Sequence, residues 1–101
     1  MQRFLNVLYM ITRKLRITGR VQGVGFRDAL CGEAQARGLA GWVRNRTDGS
    51  VEALVQGPRD RVAEVIAWAR RGPPASRVDG VQVAASDGEA AHVGFERRPT
   101  A

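Results

Sequence analysis

The feature of this sequence that most constrains its fold is the order in which strand-like and helix-like patterns of apolar residues alternate. Residues 13–18 alternate polar and apolar side chains, as a half-buried strand does. Phe26, Leu30 and Ala34 then recur every four residues, as on one face of a helix. The pattern predicts strands at 13–18, 39–45, 50–56, 77–84 and 92–97, and helices that begin near Phe26 and Pro58 and end before Gly38 and Gly72.

This order, βαββαβ plus one short C-terminal strand, predicts an α+β fold of the ferredoxin-like, split βαβ kind. We expect an antiparallel sheet with two helices on one face, and the final strand at an edge. Asp48-Gly49 predicts a tight hairpin between the second and third strands. The length of 101 residues suits one domain. We divide the chain into an N-terminal extension at 1–12, a domain at 13–98 and a tail at 99–101, with both ends loosely tied.

Charge and cysteine content limit the classes of function. The chain has 16 basic and 10 acidic residues, which give a net charge of +6. Only Lys14 is a lysine, and the arginines form no run. We interpret them as a solvated, positive surface, or as a preference for small anionic substrates, rather than as a nucleic-acid site. The single cysteine excludes an intramolecular disulfide and a cysteine-based metal site. With no apolar run of about 18 residues and no recognisable secretory signal, we expect a cytoplasmic protein.

The most informative loop is GRVQGVGFRD, residues 19–28, between the first strand and the first helix. Backbone N–H groups at a helix start have no partners within the helix, and a glycine-rich turn can direct several of them at an anion. Arg27 adds a planar, permanently charged guanidinium at the same place. The loop therefore predicts a phosphate site. On spacing alone, a tight crossover with Arg27 on the surface remains an equal alternative.

The residues that this loop lacks narrow its chemistry. It fits neither G-x-x-x-x-G-K-[ST] nor G-x-G-x-x-G, so neither nucleotide fingerprint applies. Cys31 follows Arg27 rather than preceding it, which excludes a cysteine-nucleophile phosphatase loop. His92, the only histidine, is interpreted as an ordinary strand residue. The carboxylates are dispersed, so we predict no metal site.

Without a nucleophile or metal, the most accessible phosphate chemistry is hydrolysis of a mixed carboxylic–phosphoric anhydride. Its leaving group is a carboxylate, which departs without protonation, so a positioned water and charge stabilisation suffice. Asn45, at the end of the second strand, offers both a donor and an acceptor to hold that water. The alternative is that Asn45 only shapes the Asp48-Gly49 hairpin.

Four segments of the chain resemble the acylphosphatase family, in order and at the family's spacing, from about residue 13 to residue 98: GRVQGVGFR (19–27), GLAGWVRNRTDGSVEALVQG (38–57), GPP (72–74) and VGFERR (93–98). The resemblance implies a ferredoxin-like fold and hydrolysis of acyl phosphates to a carboxylate and inorganic phosphate. It implies direct attack by water, with no metal, no cofactor and no covalent intermediate. It also implies that Arg27 and Asn45 are catalytic, and that the phosphate-binding residues are Gln22, Gly23, Val24, Gly25, Phe26 and Arg27. Some relatives carry a hydroxyl residue directly after the asparagine, where this chain has Arg46.

Two other functions remain as alternatives. A non-catalytic module that binds phosphate or carbamoyl phosphate would share the loop, and an RNA-binding domain would share the split βαβ scaffold. RNA-recognition motifs stack bases on aromatic side chains of central strands, and the first and third predicted strands have none. We therefore expect an acyl phosphate as substrate, inorganic phosphate and other small anions as competitors, no nucleic-acid or membrane partner, and a monomer.

Overall fold

The computed structural model describes residues 10–101, which form a five-stranded sheet with two helices. The strand order is β4-β1-β3-β2-β5. The first four strands pair antiparallel, whereas β5 pairs parallel with β2. The strands are β1 (Met10–Arg20), β2 (Ala40–Asn45), β3 (Val51–Pro58), β4 (Arg77–Ala85) and β5 (Phe95–Arg98), and the helices are α1 (Phe26–Ala36) and α2 (Arg59–Arg71).

Both helices pack on one face of the sheet, because alternate strand residues present apolar side chains to that face. In β1, Leu15 and Ile17 are fully buried, whereas Lys14 and Arg16, which alternate with them, are exposed on the other face. Each helix contributes one apolar stripe to the same core. The stripes are Phe26, Leu30 and Ala34 on α1, and Val62, Val65 and Ala69 on α2.

The predicted ferredoxin-like fold is confirmed, but the sheet is mixed rather than wholly antiparallel. β4 and β5 lie at opposite edges, so the linker at 86–94 must cross the sheet. It crosses at the end where β1 starts: Ser86 N–H donates to Thr12 O at 3.0 Å, and Gln56 Nε2 donates to Ala90 O at 2.9 Å. A strand that starts at that end runs in the same direction as β1 and β2. β5 is therefore parallel to β2.

The termini are more firmly paired than the sequence suggests. β1 begins at Met10, three residues before the predicted domain boundary, and Met10 faces Pro58 of β3. The rest of the proposed extension, residues 1–9, lies outside the described residues. The tail is also bonded, since Ala101 N–H donates to Asn45 O at 3.0 Å and Ala101 O accepts from Thr47 N–H at 3.1 Å. Neither helix in residues 10–101 has the length and apolar character needed to cross a membrane.

Candidate active site

The loop between β1 and α1 adopts a path that only glycine accommodates easily. Gly23 and Gly25 have φ angles of 74° and 77°, in the left-handed region. A side chain at either position would meet no atom within 4 Å, so the backbone there faces open space. Val21 and Phe26, each 1% exposed, fix the two ends of the loop in the core. The loop is therefore held rigidly at its ends, with its glycine backbone facing open space.

The loop and the first turn of α1 hold backbone N–H groups that no other part of the described chain uses. Within residues 10–101, the N–H groups of residues 22–25 donate to no protein acceptor. The helix starts after Gly25 without a side-chain cap, and its first capping-turn bond runs from Ala29 N–H to Gly25 O. Free amides together with the positive end of the helix dipole favour an anion at this place.

Arg27 lies in the first turn of α1 and is partly fixed by β5. Its Nη1 donates to Arg98 O at 3.1 Å, whereas its buried Nε has no partner within residues 10–101. Buried polar groups in folded proteins are nearly always hydrogen-bonded. A buried guanidinium N–H without a protein partner therefore marks a position where a ligand oxygen is expected.

Asn45, the last residue of β2, lies on the same cavity as Arg27. The cavity has a volume of about 310 Å³, and its walls are Val21, Gln22, Gly23, Gly25, Phe26, Arg27, Asp28 and Asn45. Asn45 Oδ1 is buried and, among the described residues, accepts no hydrogen bond. The site thus contains one unpaired buried donor and one unpaired buried acceptor. A phosphoryl oxygen matches the first, and a water O–H matches the second.

The structure brings together most of the residues predicted from the sequence, but it engages the Gln22 side chain elsewhere. Gln22 Nε2 donates to Arg46 O at 2.7 Å and to Ser50 O at 2.8 Å. The carboxamide NH₂ has only two N–H groups, and both are used. Only the backbone N–H of Gln22 is thus free to reach an anion.

A charged pair lies at one side of the cavity. Asp28 is one of the cavity walls, and its carboxylate is paired with Arg97 of β5. The hydrogen bond to Asp28 raises the pKa of Arg97 further above its usual value. Because a bare carboxylate would repel a phosphate dianion, this pairing makes the cavity compatible with an anionic ligand.

Neither Cys31 nor His92 lies in the cavity. Cys31 is about one turn further along α1 and packs against the core, and burial raises the pKa of its thiol. A thiol with a raised pKa is a poor nucleophile at neutral pH. His92 is not in a strand as predicted, since β5 begins only at Phe95, and it lies in the linker that crosses the other end of the sheet. There it lines a separate cavity of about 460 Å³, and its backbone N–H donates to Gln56 Oε1 at 2.8 Å. Within residues 10–101, no group of three or more His, Cys, Asp or Glu side chains is arranged to hold a metal ion.

Sequence reasoning missed the contribution of β5 and the residues after it. Arg98 O accepts from Arg27, Arg97 pairs with Asp28, and Ala101 N–H donates to Asn45 O. These contacts join positions 56 to 71 residues apart. Taken alone, the sequence of β5 has the pattern of a short strand of mixed polarity. Nothing in that pattern indicates that β5 and the residues after it contact both predicted catalytic residues.

The chain is similar in sequence and in fold to known proteins of one family. The acylphosphatase family model matches residues 13–97. An acylphosphatase of Thiobacillus denitrificans is 52% identical over 89 residues, covering 88% of this chain and 98% of that protein. The crystal structure of acylphosphatase from Bacillus subtilis superposes with a TM-score of 0.84 at 39% identity, covering 87% of this chain and 98% of that one. Full-length HypF, solved in a phosphate- and nucleotide-bound form, matches with a TM-score of 0.82 at 28% identity, covering 90% of this chain and 12% of that one.

Proposed function

Since this chain belongs to the acylphosphatase family and hydrolyses acyl phosphates to a carboxylate and inorganic phosphate, we propose that it does so by direct attack of a positioned water. Arg27 and the backbone N–H groups of residues 22–27 bind the phosphoryl group. Asn45 orients the water. The reaction uses no metal, no cofactor and no covalent intermediate.

The observation that carries this proposal is that two buried side-chain atoms on one cavity, Arg27 Nε and Asn45 Oδ1, have no hydrogen-bond partner in the part of the chain that the structure describes. The donor carries positive charge and complements a phosphoryl oxygen. The acceptor is neutral, so it attracts a water O–H without competing for the phosphate. The cavity therefore offers one partner to an anion and another to a water.

The bond changes need nothing more than these groups. The water oxygen forms a bond to phosphorus, and the phosphorus–oxygen bond to the acyl group breaks. Its electron pair leaves on the carboxylate oxygen, and one water proton ends on a phosphoryl oxygen, which gives dihydrogen phosphate and a carboxylate. Asn45 Oδ1 accepts a hydrogen bond from the water and takes no proton. Charge that develops on the phosphoryl oxygens is stabilised by Arg27 and the loop amides.

We also propose that inorganic phosphate competes with the substrate, because it is the product held by the same loop. A monomeric state is supported by the scatter of the exposed large apolar residues in the described part of the chain, which are Met10, Val83 and Val93. A reducing, cytoplasmic location is supported by the single, free Cys31. Against a nucleic-acid partner, Trp42 on the helix-free face is only 7% exposed, and Arg44 and Arg98 cover its ring.

Hydrolysis of benzoyl phosphate in ¹⁸O-labelled water tests the mechanism. We expect one label in inorganic phosphate and none in benzoate, at a rate unchanged by a chelator of divalent metals. Label in benzoate would mean that water attacks the acyl carbon, and loss of rate with the chelator would contradict the metal-free mechanism. Binding of phosphate without any turnover would favour a phosphate-binding module.

The Arg97–Asp28 pair provides a second test, through the charge at the cavity wall. We expect Arg97→Ala to raise the KM for benzoyl phosphate, and the inhibition constant of phosphate, by about two- to fivefold, because the freed Asp28 carboxylate repels the dianion across a solvated distance. The double variant Asp28→Asn, Arg97→Ala should return both constants towards the original values. The increase should shrink as salt is added. An Arg97→Ala increase that persists in the double variant would contradict a role in masking Asp28.

A further inference from the structure

The side chain of Gln22 spans from the phosphate loop to the β2–β3 connection. Its Nε2 lies 2.7 Å from Arg46 O and 2.8 Å from Ser50 O, so both amide N–H groups have acceptors. The remaining polar atom, Oε1, is an acceptor and would repel a phosphate oxygen. The Gln22 side chain is therefore not a phosphate ligand, although its backbone N–H belongs to the loop.

The two carbonyls that accept from Gln22 lie beside Asn45, the residue proposed to hold the water, and beside its cross-strand partner. Arg46 directly follows Asn45, and Ser50 directly precedes Val51, which faces Asn45 across the β2–β3 ladder. β3 lies between β1 and β2, so the loop after β1 and the end of β2 are two strand spacings apart, about 10 Å. From the loop after β1, Gln22 thus hydrogen-bonds to the residues adjacent to the Asn45–Val51 pair and connects the phosphate loop with that end of the β2–β3 ladder.

From this connection we infer that Gln22 is a positioning residue for the hydrolytic water, which it affects through Asn45. The inference rests on the proposed function, in which Asn45 orients the water. In-line attack requires the water to lie at a set distance from phosphorus, and a displacement of about 1 Å can reduce the rate about 100-fold. Phosphate is held by the loop and water by Asn45, so a link between the two supports fixes that distance.

The β2–β3 connection closes without help from Gln22. Arg46 N–H donates to Ser50 O at 2.8 Å, and Gly49 N–H donates to Arg46 O at 3.1 Å. Asp48 Oδ1 accepts from the N–H and the hydroxyl of Ser50 at 2.9 and 2.6 Å, which lowers the pKa of Asp48. Loss of the Gln22 bonds therefore shifts the hairpin relative to the loop and leaves the hairpin itself formed.

The variant Gln22→Met tests the inference, because methionine has nearly the same length and shape but no N–H groups. We expect kcat for benzoyl phosphate to fall about tenfold or more, while the inhibition constant of phosphate changes less than about twofold. The matched control is Gln56→Met at the other end of the sheet, where Gln56 also makes two backbone hydrogen bonds. The control should lose thermal stability but retain kcat. A raised phosphate inhibition constant with unchanged kcat in Gln22→Met would overturn the inference in favour of direct phosphate binding.

A double variant separates this inference from the proposed function. If Gln22 acts through Asn45, then Gln22→Met in an Asn45→Ala background should reduce kcat by less than about twofold, because residues that act as a unit are non-additive. A full additional loss in that background, with the Asn45→Ala loss itself present, would overturn the inference alone. Full turnover by Asn45→Ala would instead contradict the proposed function.

Discussion

Replacing Arg27 by alanine is expected to reduce kcat for benzoyl phosphate by about 10³-fold and to raise KM as well. The loss of one preorganised donor at a developing charge typically costs 10²–10³ in rate, and Arg27 supplies a full positive charge in addition. Because in the proposed function the same guanidinium also binds the ground-state phosphoryl group, we expect substrate affinity to fall together with rate. The inhibition constant of inorganic phosphate should rise in parallel. Steady-state kinetics with benzoyl phosphate, with and without added phosphate, measure all three quantities.

Two further variants show which property of Arg27 matters. Arg27→Lys keeps the charge but not the planar set of donors that reaches both the cavity and Arg98 O, so we expect it to recover only a small part of the activity. Added guanidinium ion, at a concentration that does not denature the protein, should partly restore Arg27→Ala. Arg61→Ala removes the same charge from an exposed position in the first turn of α2 and should leave the kinetics unchanged. Activity of Arg27→Ala within about tenfold of the original would refute the assigned role.

Replacing Asn45 by alanine is expected to reduce kcat by about 10²-fold or more while phosphate still binds with its original affinity. Asn45 Oδ1 is buried and has no hydrogen-bond partner within residues 10–101, and a neutral acceptor contributes little to holding an anion. A group that acts on the water rather than on the phosphate affects the rate and spares ground-state binding. Arg27→Ala and Asn45→Ala are therefore distinguished by the inhibition constant of phosphate, which should rise only in the first.

An aspartate at position 45 sharpens this test. Asn45→Asp keeps an acceptor of the same shape but places a negative charge beside the phosphoryl group. We expect it to weaken phosphate binding as well as to lower kcat, in contrast to Asn45→Ala. Thr47→Ala is a control in the same hairpin: Thr47 is exposed, and its backbone N–H, which donates to Ala101 O, is retained in the variant. If Asn45→Ala weakens phosphate binding as much as Arg27→Ala does, Asn45 is a phosphate ligand and its assigned role is wrong.

Features of the site that depend on nearby residues could be predicted from the sequence. The glycine spacing before Phe26 indicates a loop with free amides, since positive φ angles and an uncapped helix start are local properties. Asp48-Gly49 likewise predicts the hairpin that follows Asn45. Alternating apolar residues in β1 and the helical stripe of α1 indicate which faces are buried. The succession of such patterns along the chain predicts the βαββαβ order.

Features that depend on distant residues could not be predicted. β5 is only four residues long, and its parallel pairing with β2 follows from a linker that crosses the sheet, which no local pattern encodes. The same holds for Gln22, because its two acceptors are backbone carbonyls 24 and 28 residues away. Any residue has a backbone carbonyl, so sequence identity gives no signal for such a bond. The resemblance to a family predicts which residues bind phosphate, but not which atom of each residue is free to do so.

The contacts from β5 and its tail have a consequence for how the enzyme is made. Arg27 and Asn45 leave the ribosome early, whereas the Arg98 carbonyl and the Ala101 amide that hold them are translated after everything else that the structure describes. A nascent chain that has already formed its loop, its hairpin and both helices still lacks these two supports. Catalytic competence is thus acquired only after β5 and the residues that follow it have been translated, so the onset of acyl phosphate hydrolysis reports that β5 has docked at the edge of the sheet.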